Sequence, residues 1–543
     1  MNMDFESIGG VRVFRPSVEI ELAVRNEAEE ALRRKYSAGE YRADDEINAI
    51  LHEYFSFYDR MLKEHIPRVA SRHFMEFVLA QYDLSSEIDN KLKGQQLDGR
   101  DSERWKKLGP VFRRAIKYLS ECICLLAPDE APVAKGDEIF EATERCWICA
   151  EQMVELSMLS TQTFALFPND TRLELRPEGE LEWFILEIND PQRFEAFNQR
   201  IRQDTNTRKN YVNETELIYN KKRVAEHLDS ALLASCGFRM TDALAFAFGI
   251  NRNAIQPGIG FDVPFVSEQQ IIQSLTEVHG LTDEESRRLL DGLCLRKAKM
   301  AAEGRVIWKP KQEYRAYTRP FFEFPHQTGS HFVWSRKMAE ECLITAYMSF
   351  AQKQLPLEWQ SGPVNQAIEN YVTSITTAFE AIVNSSLGTV GIVARRFKSS
   401  IGRGTSAIKI PDDIGELDTL AYWEDQKLLI VGEDKFVKPT YEPATFRDDL
   451  DKFVGKKKNY VAQLKRKTQW VLENADKIVA ALSGFEGLPN HIHINQVAPA
   501  LITYYPAFAS CFISELPCVS LTELMIALKQ NQSWPFKPVH DVR

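Results

Sequence analysis

The chain has 543 residues, enough for three or four domains at roughly 150 residues each. Charged residues make up 27% and hydrophobic residues 44%, which excludes a disordered, collagen-like or coiled-coil chain. The net charge of -10, from 67 basic and 77 acidic residues, excludes a protein that coats nucleic acid or an anionic membrane by bulk charge.

The opening MNMDFESIGG carries acidic residues and no apolar core, so it does not read as a signal peptide. No stretch approaches the ~20 apolar residues of a spanning helix. The nearest, 497–513, is broken by Pro499 and Pro506. Nine cysteines, an odd number, fit reduced thiols in a soluble, cytoplasmic protein better than a disulfide framework.

Residues 1–160 read as one helix after another. Segments 27–63, 69–92 and 105–126 mix charge with apolar residues at three- and four-residue steps. From Thr161 the texture changes: 161–167 and 172–188 are rich in strand formers, with a turn at Pro177, Glu178 and Gly179. Helical patterning returns near 214–234, 268–299 and 337–354, and 355–363 (LPLEWQSGP) reads as a boundary. The expected organisation is therefore a helical region (1–160), a mixed, mainly helical region with a strand-rich insert (161–360), and a C-terminal α/β domain (361–543). The fold class is α+β, multidomain.

Past the boundary, Ile368, Val372, Ile375, Phe379 and Ile382 fall on one helix face. Strands are expected at 389–397, 414–423 and 428–437, then a long helix within 446–482 with Leu450, Phe453, Tyr460, Leu464 and Val471 as its ladder. A strand at 498–504 and a helix at 522–530 close the order α-β-β-β-α-β-α.

The segment GELDTLAYWEDQKLLIVGEDKF, residues 415–436, carries the chemistry. If residues 424–427 close a hairpin, Asp418 stands opposite Glu433 and Glu416 opposite Lys435. Opposed side chains share a sheet face about 4.5–5.5 Å apart. Two carboxylates that close repel unless a proton or cation lies between them. A hard divalent cation such as Mg²⁺ suits their oxygens, and the backbone carbonyl of Asp434 is a further donor. Such an ion can lower the pKa of a bound water, and a neighbouring ammonium, Lys435, can stabilise added charge on a phosphate. The glutamate and lysine also interrupt a strongly apolar strand, where charge is costly without a use.

Asp418 followed by a hairpin to Glu433-Asp434-Lys435 resembles the PD-(D/E)xK, restriction-endonuclease-like phosphodiesterase superfamily, over 363–543, a third of the chain. The resemblance implies a mixed sheet flanked by helices and a nuclease dependent on Mg²⁺ or Mn²⁺. It implies Asp418 and Glu433 as metal ligands, Glu380 in TTAFEAIV as a further acidic ligand, and Lys435 as the residue that positions the nucleophile. Gln463 and Lys467 in YVAQLKRKTQW are similar to the family's polar element on the following helix. Leu417 stands at the family's proline position, and an insertion at 401–413 precedes the second strand. By the same analogy, such nucleases serve restriction or anti-phage defence.

Between residues 391 and 470 the local balance is +4, leaving -14 for the rest. Lys456, Lys457, Lys458, Lys465, Arg466 and Lys467 form the candidate phosphate-binding set, with Arg395, Arg396, Lys398 and Arg403 upstream. The expected partner is nucleic acid, DNA favoured, with no membrane; a homo-oligomer is compatible with the chain. The alternative is a non-cleaving nucleic-acid-binding or scaffold protein on the same fold. Cys122, Cys124, Cys146 and Cys149 lie in apolar helical text and read as core residues rather than zinc ligands. His491 and His493 lack a third partner, and PGIG at 257–260 reads as a turn.

Overall fold

The computed structural model describes all residues except 1–3, 129–134, 164–166, 168, 179–182, 189–191, 254–261, 304–313, 327–328, 350–354, 403–405, 438–442, 456–458, 484, 486, 490 and 543. The expected turn at 257–260, together with Gly179, Arg403, Lys456, Lys457 and Lys458, lies outside the described residues. The chain divides into two units, Met1–Ile188 with Glu226–Glu369, and Asn189–Ala225 with Asn370–Arg543. The boundary expected at residue 160 therefore runs inside the first unit. The one expected at 361 falls between Glu369 and Asn370, and residues 189–225 join the C-terminal unit.

In the first unit, helices Val18–Arg33, Asp44–Val69, Arg72–Lys93, Gly99–Leu126 and Asp137–Thr161 share one apolar core. A short strand, Gly39–Tyr41, interrupts the helix expected over 27–63 and pairs with Thr171–Leu175, which pairs in turn with Phe184–Ile188. Residues 161–163 continue the helix in place of the expected strand, because packing of an amphipathic face overrides the local preference of threonine. A hairpin, Phe5–Ile8 with Val11–Phe14, and a four-stranded sheet built on Phe321–His326 and Gly329–Val333 were not anticipated. Cys122, Cys124, Cys146 and Cys149 are buried free thiols, and burial raises the pKa of each. No single described helix is long and apolar enough to cross a membrane.

The second unit begins with helix α1 (Gln192–Thr207) and resumes in α2 (Gly362–Gly388), whose first turns belong to the first unit. Strands β1 (Val393–Phe397), β2 (Leu417–Trp423) and β3 (Leu428–Lys435) follow. Then come α3 (Pro443–Leu450), α4 (Tyr460–Glu473), α5 (Ala475–Leu482), β4 (Gln496–Thr503), β5 (Cys518–Ser520), α6 (Leu521–Asn531) and β6 (His540–Asp541). The sheet runs β1-β2-β3-β4-β5, with β6 on β4. β1, β2 and β3 are antiparallel neighbours, whereas β3, β4 and β5 are parallel. Parallel neighbours need a crossover, which the helices between β3 and β4 supply. The near-continuous apolar runs of β2, β3 and β4 fit strands covered on both faces.

The long helix expected over 446–482 is broken. A wide turn, Asp451–Gly455, follows α3, and Asn459 then caps α4 by accepting the Ala462 N–H at 2.8 Å. Asn474 ends α4 and opens α5. Leu464 and Val471 of α4 pack with Leu429, Val431 and Leu501 in one core. On the other face, the Thr419 hydroxyl lies 3.2 Å from Asn384 Oδ1 of α2. Helix α1 joins this unit through an ion pair of Arg200 with Glu523 at 2.7 Å, and in the turn that follows, the Arg208 guanidinium lies 3.9 Å from the ring centre of Tyr505.

Candidate active site

The hairpin has the expected register. Thr419 faces Gly432, Leu420 faces Val431 and Trp423 faces Leu428; one residue further, the same register sets Asp418 beside Glu433. Gly432 is needed there, because a Cβ would lie 2.9 Å from Thr419 Cβ. At the strand ends the Lys435 ammonium lies 3.2 Å from Asp418 Oδ2 and 2.6 Å from Glu433 Oε1. Asp418 Oδ2 also accepts the backbone N–H of Asp434 at 3.1 Å. Burial pushes the Lys435 pKa down, but the charges of Glu433 and Asp418 outweigh this and hold it above the ordinary lysine value.

Lys467 was expected both near the site and among the surface cations. It is buried with 1% side-chain exposure and paired to Glu433, so it does not belong to a phosphate-binding surface. Its spacing shows why: Lys467 lies three residues after Leu464 and four before Val471, on the inward face of α4. Gln463 is half-buried on α4, and the contact with Glu433 is made by Lys467 rather than by Gln463. Lys465 and Arg466 are exposed, and Lys465 pairs with Glu515. His491 and His493 are exposed.

Glu380 arrives from α2 and is 5% exposed. Its Oε2 lies 2.5 Å from Arg396 Nη1, and the Arg396 Nε pairs with Glu416. Glu416 was expected opposite Lys435; it precedes β2 and is held by Arg396 instead. Burial, then the charge of Asp418, push the Glu380 pKa up to about 7, against the opposing pull of Arg396. Asp434, fully buried, is raised well above the ordinary range by burial and by Asp418. Its Oδ2 lies 2.7 Å from the Thr419 hydroxyl.

Comparison with protein-family models, with curated proteins and with solved structures gave no match. The chemistry of the site therefore rests on its own side chains.

Five carboxyl groups, Glu380, Glu416, Asp418, Glu433 and Asp434, gather with three cations, Arg396, Lys435 and Lys467. Three buried carboxyl oxygens, Glu380 Oε2, Glu433 Oε1 and Asp434 Oδ1, have no well-aligned hydrogen bond, the first two being met only by the ion pairs with Arg396 and Lys435. The donor set is hard oxygen with an excess of negative charge, which fits a divalent cation in chemistry. Among the described residues, however, no three ligating side chains converge closely enough to hold a metal, and Arg396 and Lys435 are paired with the carboxylates instead.

Proposed function

We propose that the second unit is a divalent-cation-dependent nuclease of the PD-(D/E)xK type, hydrolysing phosphodiester bonds of nucleic acid, with DNA the favoured substrate. The observation that carries this reading is the placement of Lys435 between Asp418 and Glu433 at the ends of β2 and β3, with Glu380 reaching them from α2. A mixed sheet covered by helices on both faces is in keeping with a restriction-endonuclease-like domain.

Asp418 and Glu433 would hold Mg²⁺ or Mn²⁺, with Glu380 as a direct or water-mediated ligand. When bound, the ion would supply a water of lowered pKa and neutralise charge on the phosphate. Lys435 orients the attacking oxygen and faces the charge that develops at the phosphate. Lys467 fixes the Glu433 carboxylate from behind, while Lys465 and Arg466 offer exposed charge to the nucleic-acid backbone. The first unit would provide recognition, oligomerisation or regulation.

The test is cleavage of duplex and single-stranded DNA and RNA by the full chain with Mg²⁺ or Mn²⁺. Wild type should cleave, and Glu433→Gln and Lys435→Met should each lose about 10²–10³ in rate. Unchanged cleavage in both variants sinks the assignment. A second reading, a nucleic-acid-binding protein that keeps the fold without cleaving, is favoured by the internal cations already seated on the carboxylates. Binding without cleavage across several divalent metals would select it.

A further inference from the structure

Arg396 is the one site cation whose position is set by an irregularity in the sheet. On β1, Arg395 faces Leu420 and Phe397 faces Leu417, so the single residue Arg396 stands against two residues of β2, Asp418 and Thr419. Such a bulge re-aims a side chain, and bulges are over-represented next to active sites. Here it sets the guanidinium between Glu380 and Glu416.

We propose that Arg396 is a displaceable latch: its guanidinium fills, as an internal counter-ion, the place where Glu380 would meet a divalent cation, and it leaves Glu380 when the cation is held. This rests on the nuclease reading above and adds a regulation of the same site.

Three observations carry it. The guanidinium is split over two acids rather than seated as a fork on one, and Glu380 Oε2 receives no directed hydrogen bond from it. That is the weaker form of an arginine–carboxylate contact, since the strong form is bidentate. Arg396 is 24% exposed, so it has solvent to swing into, whereas Lys467 at 1% has none. Charge agrees as well. The five carboxyl groups of the site outnumber its three cations. With Arg396 withdrawn, the surplus of carboxyl groups widens, which favours a dication in its place.

A closed latch lowers the apparent affinity for the ion by the fraction of molecules in which it is open. The experiment measures Mn²⁺ binding to the full chain without nucleic acid, by electron paramagnetic resonance of the free ion. Arg396→Gln should bind Mn²⁺ about tenfold more tightly than wild type, within the range of intramolecular couplings. The gain should vanish when Glu380→Gln is added. Arg396→Lys keeps the charge but cannot span both acids, and should fall between the two; it decides the matter if Arg396→Gln does not fold, as judged by circular dichroism. Arg395→Gln, one residue away and exposed, controls for loss of positive field and should change binding less than about twofold. Affinity in Arg396→Gln equal to or weaker than wild type, with binding still dependent on Asp418 and Glu380, overturns the latch and leaves the nuclease reading standing. Binding of no Mn²⁺ by wild type and all variants overturns both.

Discussion

Each unit buries a cluster of charged side chains, and the two clusters are balanced in opposite directions. In the first unit, Glu358 receives Arg319 at 2.8 Å, Lys299 at 2.8 Å and the Tyr314 hydroxyl at 3.1 Å. Burial pushes the Glu358 carboxyl up, but Arg319 and these hydrogen bonds outweigh it, and it lies below the ordinary range. Glu341 behaves the same way: Arg113 and the Tyr82 hydroxyl overcome its burial. In the second unit, acids outnumber cations, and burial together with Asp418 raises both Glu380 and Asp434. A cluster whose cations match or exceed its acids holds a fold together. A cluster with surplus buried carboxylate costs stability, and a cost of that kind is what a binding or catalytic site carries.

Removing a cation from each cluster tests that contrast. Arg319 is 1% exposed and its partner Glu358 9%, so Arg319→Met leaves a buried carboxylate with its main partner gone. The expected loss is about 3–5 kcal/mol, read by chemical denaturation, with little change in the catalytic constants of the fraction that stays folded. Lys435→Met should do the reverse: cleavage falls about 10²–10³-fold, equivalent to roughly 2.7–4 kcal/mol of barrier, while the unfolding midpoint moves far less. If Lys435→Met unfolds the protein as readily as Arg319→Met, the two clusters are alike and the contrast fails.

Glu380→Gln sharpens the same point with a sign that depends on pH. The folded carboxyl has a pKa of about 7 against an ordinary 4.5, so the folded chain holds this proton more tightly than the unfolded one. Wild-type stability is therefore lost as pH rises from about 4.5 to about 7 and is level above that. The glutamine variant escapes this loss. It should match wild type in denaturant at pH 4 and exceed it at pH 8, while cleaving about 10–100-fold more slowly. A variant less stable than wild type at pH 8 would show that the pair with Arg396 outweighs the repulsion from Asp418.

Where local pattern and final packing agree, the site was legible. The hairpin could be registered because residues 424–427 bridge two apolar strands of matched length, and Glu433 and Lys435 break the apolar run LLIVGEDKF. Lys467 was legible in principle: its spacing from Leu464 and Val471 puts it on the buried face, but a run of three basic residues read as surface. Arg396 was not, because its role depends on a bulge formed between strands separated by the 401–413 insertion. Nor was the transfer of residues 189–225 to the second unit, which rests on contacts such as Asp204 with Ser520, 316 residues apart. Periodicity reports which face of an element is buried and is silent about which distant element buries it.

The smallest expected effect lies in the first unit, where two histidines and Arg72, itself paired with Glu76 at 2.7 Å, gather round Phe265. The His331 ring stacks on Phe265 at 4.7 Å between centroids, with Arg72 over the same phenylalanine at 4.1 Å and the His326 ring 4.5 Å away. Burial lowers the His331 pKa, and the neighbouring His326 and Arg72 lower it further, against a contact of its Nδ1 with the Gly329 carbonyl at 3.1 Å. A histidine lowered in the folded state is neutral there when the unfolded chain already takes a proton. Its contribution is therefore complete above about pH 6.5 and declines as pH falls through that value. His331→Phe keeps the stack and removes the titration, so its melting temperature should fall less between pH 7.5 and 5.5 than that of wild type, by on the order of 1–2 °C. An equal fall in both proteins would mean that solvent already screens this corner. Surplus charge would then be costly only where the carboxylates of the second unit are closed off from water.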